Sequence, residues 1–124
     1  MDHLNEKLPV YIRIVEGIKN AIVVGDLKEG ERLPSTTHLS SNYNIGLLTI
    51  NKANDILEDE GLIYKKRGVG LFVQKGAKEK LINERRKRFK DQYIKAALIE
   101  ANKLNINVEE LQQIVKEAYE EIYK

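Results

Sequence analysis

Two short stretches of the sequence hold the side chains best suited to bind a ligand, "GLLTINK" at 46–52 and "KKRG" at 65–68. In the first, an asparagine amide can pair bidentately with adenine N6 and N7, and the lysine can reach a phosphate or a guanine. In the second, glycine lets the backbone approach closely, and the arginine before it can enter a narrow minor groove. Both stretches suit the recognition of DNA rather than bond-breaking chemistry.

Groups that carry catalysis or bind metals do not stand out. The sequence has no cysteine, which excludes disulfides and thiol catalysis. No Ser-His-Asp, paired-carboxylate or phosphate-loop arrangement is recognisable. His3 and His38 lack a second histidine or a cysteine at ligand spacing. We expect no enzyme activity, no metal site and no cofactor.

Composition predicts a folded, soluble, cytoplasmic protein with no membrane partner. Of 124 residues, 42% are apolar and 32% charged, which fits one ordinary domain or two small ones. The chain begins without the apolar core of a signal peptide, and no apolar run approaches the roughly 20 residues that span a bilayer. The net charge of +2 hides a basic belt at 76–95 and an acidic tail. Such a belt usually forms a solvated face, which we favour over direct DNA contact.

The first half of the chain is patterned as three helices. Apolar residues at helical spacing predict a helix with Pro9 in its first turn, which ends at Gly25 as a left-handed cap. Ser35 can cap a second, short helix. A third helix is expected from Leu47 to about Glu60. Two short helices joined by a tight turn are typical of a helix-turn-helix.

The pattern then changes to that of a β-hairpin. Residues 62–64 and 71–73 are predicted strands, with "KKRGVG" at 65–70 as the turn between them. The predicted fold is mostly α with a small β-hairpin, that is, a winged helix-turn-helix followed by a short two-helix dimerisation module. We assign residues 1–75 to the DNA-binding domain and 76–124 to the helical domain.

The helical domain is predicted to contain two helices. One long helix follows Gly76 and ends near "NKLNIN". Asn107 can cap the last helix, with Glu110 three residues later completing a capping box.

The stretch from Pro9 to Val73 resembles the DNA-binding domain of the GntR family of bacterial transcription regulators. The match rests on "PVYIRIVEGIKNAIVVGDLKEGERLPS" and "ILEDEGLIYKKRGVGLFV". The remainder is too short for the larger effector domains of most branches. Its length and two helices resemble the YtrA-like subfamily, whose short C-terminal part dimerises. The resemblance implies a sequence-specific regulator that binds double-stranded DNA.

The predicted DNA contacts come from the second helix, the start of the third helix and the wing. They are Ser35, Thr36, Thr37, His38, Leu47, Leu48, Thr49, Asn51, Lys52, Lys65, Lys66, Arg67 and Gly68. The family pattern usually has arginine at the positions of Thr37, Leu47 and Asn51. Leucine can make only apolar contact with bases, for which the thymine methyl group is the suitable target, so we expect an AT-rich operator. The alternative is that the leucines pack into the core, Leu48 before Leu47.

The helical domain is predicted to form a homodimer, because its apolar faces exceed what two helices can bury between them. The predicted dimerisation residues are Phe89, Tyr93, Ala97, Val108, Leu111, Val115, Ala118 and Ile122. Two winged domains related by a two-fold axis would read a pseudo-palindrome, and the expected role is repression. A small-molecule effector stays open. The competing hypothesis is a protein-binding module that has lost DNA recognition.

Overall fold

The computed structural model describes residues 7–124, and these form six α-helices, one π-helix and one two-stranded sheet. In chain order the elements are α1 (Val10–Val24), α2 (Thr36–Tyr43), α3 (Leu47–Asp59), β1 (Ile63–Lys66), β2 (Gly70–Val73), α4 (Ala77–Arg88), the π-helix (Phe89–Ile94), α5 (Lys95–Lys103) and α6 (Val108–Ile122). The mostly helical fold with a small hairpin confirms the predicted winged helix-turn-helix architecture. None of the helices in this part of the chain is both long and apolar enough to cross a membrane.

The ends of the first three helices follow the predicted caps. Pro9 stands at the N-cap of α1, one residue before its predicted place in the first turn. Gly25 ends the helix at φ 89°, a left-handed conformation that suits glycine. Ser35 caps α2, because its hydroxyl accepts a hydrogen bond from the His38 backbone N–H at 3.0 Å. Helix α3 starts at Leu47 as predicted and ends at Asp59, with Glu60 as its C-cap.

The hairpin is longer in its strands and shorter in its turn than the sequence predicted. Lys65 and Lys66 belong to β1 and Gly70 to β2, where Lys66 pairs with Gly70. The turn is tight because the Val69 N–H donates to the Lys66 carbonyl at 2.9 Å. The predicted six-residue turn at 65–70 is therefore wrong in extent.

A short segment before α2 supports the hairpin along its second strand. Gly30 N–H donates to the Val73 carbonyl at 2.9 Å, Val73 N–H to the Glu31 carbonyl at 2.9 Å, and Leu33 N–H to the Leu71 carbonyl at 2.8 Å. These backbone bonds fasten the wing to the chain that leads into α2.

The first compact unit encloses a continuous apolar core. Leu57 of α3, Leu62 before β1 and Val73 of β2 are no more than 1% exposed. Ala77 and Leu81 of α4 are buried in the same cluster, and this unit ends at Asn83. The division into functional domains at 75/76 stays a prediction.

The second compact unit comprises Glu84–Lys124. Its backbone is helical from the end of α4 through the π-helix to Lys103, so the predicted long helix contains a π-helical segment that 3.6-residue periodicity does not reveal. The predicted capping box of α6 is confirmed: Glu110 N–H donates to Asn107 Oδ1 at 2.8 Å, and the Glu110 side chain accepts from the Asn107 N–H.

Candidate nucleic-acid interface

The start of α3 presents two leucines to solvent. Gly46 stands at the N-cap in an extended conformation, and its carbonyl accepts from the Thr49 and Ile50 N–H groups at 3.1 and 3.2 Å. Leu47 is 50% exposed and Leu48 is 86% exposed. The alternative in which the leucines pack inward is therefore wrong, and Leu48, its first candidate, is the more exposed of the two. Because the helix begins at Leu47, the side chain of Ile50 rather than that of Leu48 faces the core.

The leucines are flanked by the polar residues predicted to read DNA. Asn51 and Lys52 are exposed, and Thr49 is half-buried. Lys52 does not extend freely, because its Nζ lies 4.0 Å from the centre of the Tyr11 ring. This cation–π contact joins α3 to the first turn of α1 and limits where the ammonium group can go.

The opposite end of α3 is fixed by two lysines. Lys19 Nζ of α1 donates to Glu60 Oε1 at 2.9 Å, in an ion pair that is partly shielded from solvent. Lys80 Nζ of α4 donates to the Glu60 carbonyl. Cations at a helix C-terminus also interact favourably with the helix dipole. The orientation of α3 is thus set at both ends.

The N-terminus of α2 carries the predicted phosphate contacts. Thr37 and His38 are exposed, whereas Thr36 is half-buried. The ring of His38 already has a neighbour, because its Nε2 lies 2.9 Å from Asn42 Nδ2. The Ser35 hydroxyl serves as the helix cap, so any contact it makes with DNA would be additional.

The wing presents its basic side chains around one turn. Lys65, Lys66 and Arg67 are exposed, and within residues 7–124 none of them has an acidic partner within 4.0 Å. Lys66 Nζ lies 5.0 Å from the centre of the Phe72 ring. Gly68 has φ 76°, which makes glycine the suitable residue at the tip.

A groove of about 460 Å³ separates α3 from the wing. Several predicted contact residues line it together: Thr36, Asn51, Lys65, Lys66, Arg67 and Gly68. Asp55, Glu58 and Asn54 line it as well. The remaining predicted contacts, from Leu47 to Thr49 and Lys52, lie outside this lining, and so do Ser35, Thr37 and His38.

Sequence reasoning missed two features of this interface. Tyr11 shares the apolar spacing of α1 and was not among the predicted contacts, although an aromatic ring can hold a lysine from a neighbouring element. Asn54 was not among the predicted contacts either, and its one signal in the sequence is that a polar residue stands among the apolar residues of the buried face of α3. That Asn54 borders the groove with the wing depends on tertiary packing and has no local signature.

The described residues include no group of three or more His, Asp or Glu side chains that could hold a metal ion. His38 lies within this part of the chain, whereas His3 lies outside the described residues.

Comparison with known proteins agrees with the fold. Residues 10–73 match the family described as bacterial regulatory proteins, gntR family. The chain is 31% identical over 109 residues to the HTH-type transcriptional repressor YtrA of Bacillus subtilis (strain 168), covering 88% of this chain and 83% of that protein.

Two solved structures extend this comparison. A GntR family transcriptional regulator from Listeria monocytogenes superimposes with a TM-score of 0.73 at 32% identity, covering 90% of this chain and 96% of the other. The DNA-binding domain of AraR in complex with operator ORX1 superimposes with a TM-score of 0.52 at 30% identity, covering 56% of this chain and 83% of that one. With its winged helix-turn-helix and the family match over more than half its length, the chain belongs to the GntR family of bacterial regulatory proteins, as a DNA-binding transcriptional regulator of the YtrA-like type.

Proposed function

We propose that the protein is a homodimeric repressor that binds an AT-rich, pseudo-palindromic operator. The observation that carries the proposal is the exposure of Leu47 and Leu48 at the start of α3. A helix that enters the major groove places its N-terminal residues against base edges. Leucine can contribute there only through apolar contact, for which the thymine methyl group is the suitable target.

Polar readout comes from the next turn of α3. Asn51 can pair with adenine N6 and N7, with about 1–3 kcal/mol of discrimination against other bases. Lys52, held against Tyr11, supplies a positive charge beside it. Adenine pairing and thymine contact both favour A·T pairs at the centre of each half-site.

The wing supplies a second, shape-dependent contact. Arg67 lies beside Gly68 at the tip of a hairpin whose backbone is fastened to the rest of the unit. Arginine is attracted to narrow minor grooves, which A-tracts provide. The wing and α3 therefore favour the same base composition.

Dimerisation is supported by the exposed apolar residues of the helical unit. Val108, Val115 and Ile122 on α6 are 58%, 58% and 70% exposed, and Phe89 and Tyr93 are 55% and 66% exposed. In a dimer with two-fold symmetry, the same patch on both copies is buried at the interface. Leu111 is half-buried and Ala97 and Ala118 are exposed, which leaves all eight predicted residues able to contribute to such an interface.

Repression follows from occupancy of the operator, as the name of the YtrA relative suggests. Occupancy of the operator requires no enzymatic step and no cofactor. It places the protein with chromosomal DNA in the bacterial cytoplasm.

An unbiased selection from random duplex oligonucleotides with the purified protein tests the proposal. We expect a pseudo-palindrome with A·T-rich half-site centres, and an affinity that falls steeply with salt as phosphate contacts release counterions. Half-sites centred on G·C pairs would contradict the base preference. Enrichment of no sequence would favour a protein-binding module, which the same exposed leucines could serve.

The matched variant in this selection is Leu47→Arg. Arginine restores the residue expected at this position from the family pattern and can bind guanine O6 and N7 bidentately. We expect the selected half-site to gain a G·C pair at one position. An unchanged consensus would show that Leu47 does not face a base.

A further inference from the structure

Asn54 is a polar residue in an apolar position. It lies on the face of α3 that buries Ile50, Ala53 and Leu57, and it is itself only 8% exposed. Within residues 7–124 its amide has no hydrogen-bond partner. Burying an unpaired amide costs folding free energy, whereas an apolar side chain would continue the core face of the helix. The asparagine is therefore unfavourable for the unit in isolation.

The amide is open to a ligand from one side. No fully enclosed side-chain nitrogen or oxygen lacks a partner in the described residues, so the unpaired amide is reached from the groove that Asn54 lines. One wall of this groove is α3, with Asn51 one turn earlier, and the other is the wing, with Lys65 and Arg67. An amide NH₂ offers two donors to an acceptor that enters between the walls.

The position of the groove indicates which acceptor enters. With α3 in the major groove and the wing in the adjacent minor groove, the sugar–phosphate strand that separates these two DNA grooves must pass between helix and wing. Roughly half to two-thirds of the hydrogen bonds that proteins make to DNA go to the phosphate oxygens and sugars of its backbone. The buried amide thus faces the path of a backbone phosphate.

The charges around the groove favour a phosphate held on DNA over a free anion. Lys65, Lys66 and Arg67 are opposed by Asp55 and Glu58, which leaves a formal sum of +1 from three positive and two negative charges. A site with so little net charge concentrates free anions weakly. A phosphate delivered by the docked duplex does not depend on such concentration.

We propose that the Asn54 amide donates a hydrogen bond to one backbone phosphate of the strand that passes between α3 and the wing. The inference rests on the proposed function, because it assumes that both elements engage DNA. The contact is independent of base sequence, and it fixes how deeply and in which register α3 enters the major groove.

The test uses Asn54→Leu and Asn54→Asp in the full chain, with Asn83→Leu as the same exchange at an exposed helical position outside the interface. Affinity is measured at one salt concentration for the selected operator and for unrelated duplex DNA, together with the melting temperature. Asn54→Leu is expected to melt no lower than the wild type and to bind both DNAs about ten-fold more weakly, as loss of one hydrogen bond to a charged group predicts. Asn54→Asp keeps the size but adds a negative charge, so its binding should fall at least as far.

Methylphosphonate substitution of single operator phosphates identifies the contacted group. Substitution of the contacted phosphate should lower the affinity of the wild type about ten-fold. The same substitution should lower the affinities of Asn54→Leu and Asn54→Asp little further, because these variants already lack the contact. If Asn54→Leu does not fold, the comparison of the wild type with Asn54→Asp on the same substituted operators still tests the contact.

Two results would overturn the inference. The first is a folded Asn54→Leu variant that binds like the wild type, and a lowered melting temperature alongside it would indicate a structural role for Asn54. A loss confined to the operator would indicate a base contact instead. If the wild type itself binds no DNA, the proposed function fails as well.

Discussion

The two compact units of this chain differ in how far their apolar residues are buried. In the winged unit, apolar side chains from α1, α3, α4 and the hairpin enclose one another, and residues such as Leu57 and Val73 are fully buried. In the helical unit, Ala101 is the buried apolar residue among those described, while Val115, Tyr119 and Ile122 remain more than half exposed.

This difference in burial means that the exposed apolar residues of the two units need different explanations. The winged unit has the continuous core that stabilises a small domain, so its exposed leucines at the start of α3 need a functional rather than a packing explanation. The exposed apolar residues of the helical unit form a stripe along α6, which a second copy of the chain can cover. We therefore expect changes in the two units to have separable consequences.

The largest expected effect comes from placing a charge in the stripe. Val115→Asp should abolish dimerisation at micromolar concentration, because a buried unpaired carboxylate is strongly disfavoured at an interface. Operator affinity should then fall by about 10²- to 10⁴-fold, since the second half-site no longer benefits from an effective concentration. Sedimentation velocity and operator titration measure the two effects.

Gln113→Asp is the control for this change, because it adds the same charge on the opposite side of α6. It should leave dimerisation and affinity close to those of the wild type. A monomeric wild type, or a Val115→Asp variant that still dimerises, would contradict the assignment of the stripe.

A cavity in the winged core is the next largest change. Leu57 is 0% exposed, and Leu57→Ala should lower the free energy of unfolding by about 2–5 kcal/mol. Leu104→Ala, at a leucine 60% exposed in the helical unit, should change it by less than about 0.5 kcal/mol. Denaturant unfolding followed by circular dichroism measures both, and equal losses would show that the two units do not differ as described.

The smallest expected effect concerns the contact between α1 and α3. Tyr11→Leu removes the ring that holds Lys52, and a cation–π contact of about 0.5–1 kcal/mol predicts about two- to five-fold weaker operator binding at low salt. Tyr11→Phe keeps the ring and should bind as the wild type does. If Tyr11→Leu weakens binding equally in a Lys52→Met background, the tyrosine acts by another route.

The sequence predicted those features that depend on local chemistry. The caps at Gly25, Ser35 and Asn107 were identified because their side chains or φ angles satisfy helix ends within a few residues. The start of α3 at Leu47 was correct, although Gly46 at its N-cap supplies no side-chain hydrogen bond. The strand ends were misplaced, because Lys65 and Lys66 join β1 through pairing that composition does not encode.

Features that depend on contacts distant along the chain were not predicted. The approach of Lys52 to Tyr11 joins residues about forty positions apart, and the groove beside Asn54 exists only once the hairpin has folded against α3. The exposure of Leu48 was also left open, because a shift of one residue in a helix start rotates every side chain by about 100°. Such features require the tertiary structure.

The backbone hydrogen bonds between the 30–33 segment and β2 hold the wing rigidly within its unit. They hold the wing at a set distance from the start of α2, the next element along the chain, so these two parts have little freedom to adjust to a given duplex. DNA whose grooves do not match that distance must bend or twist to fit, and the energy of doing so depends on its sequence. Operator preference should therefore extend to base pairs between the two contacts, which no side chain reaches.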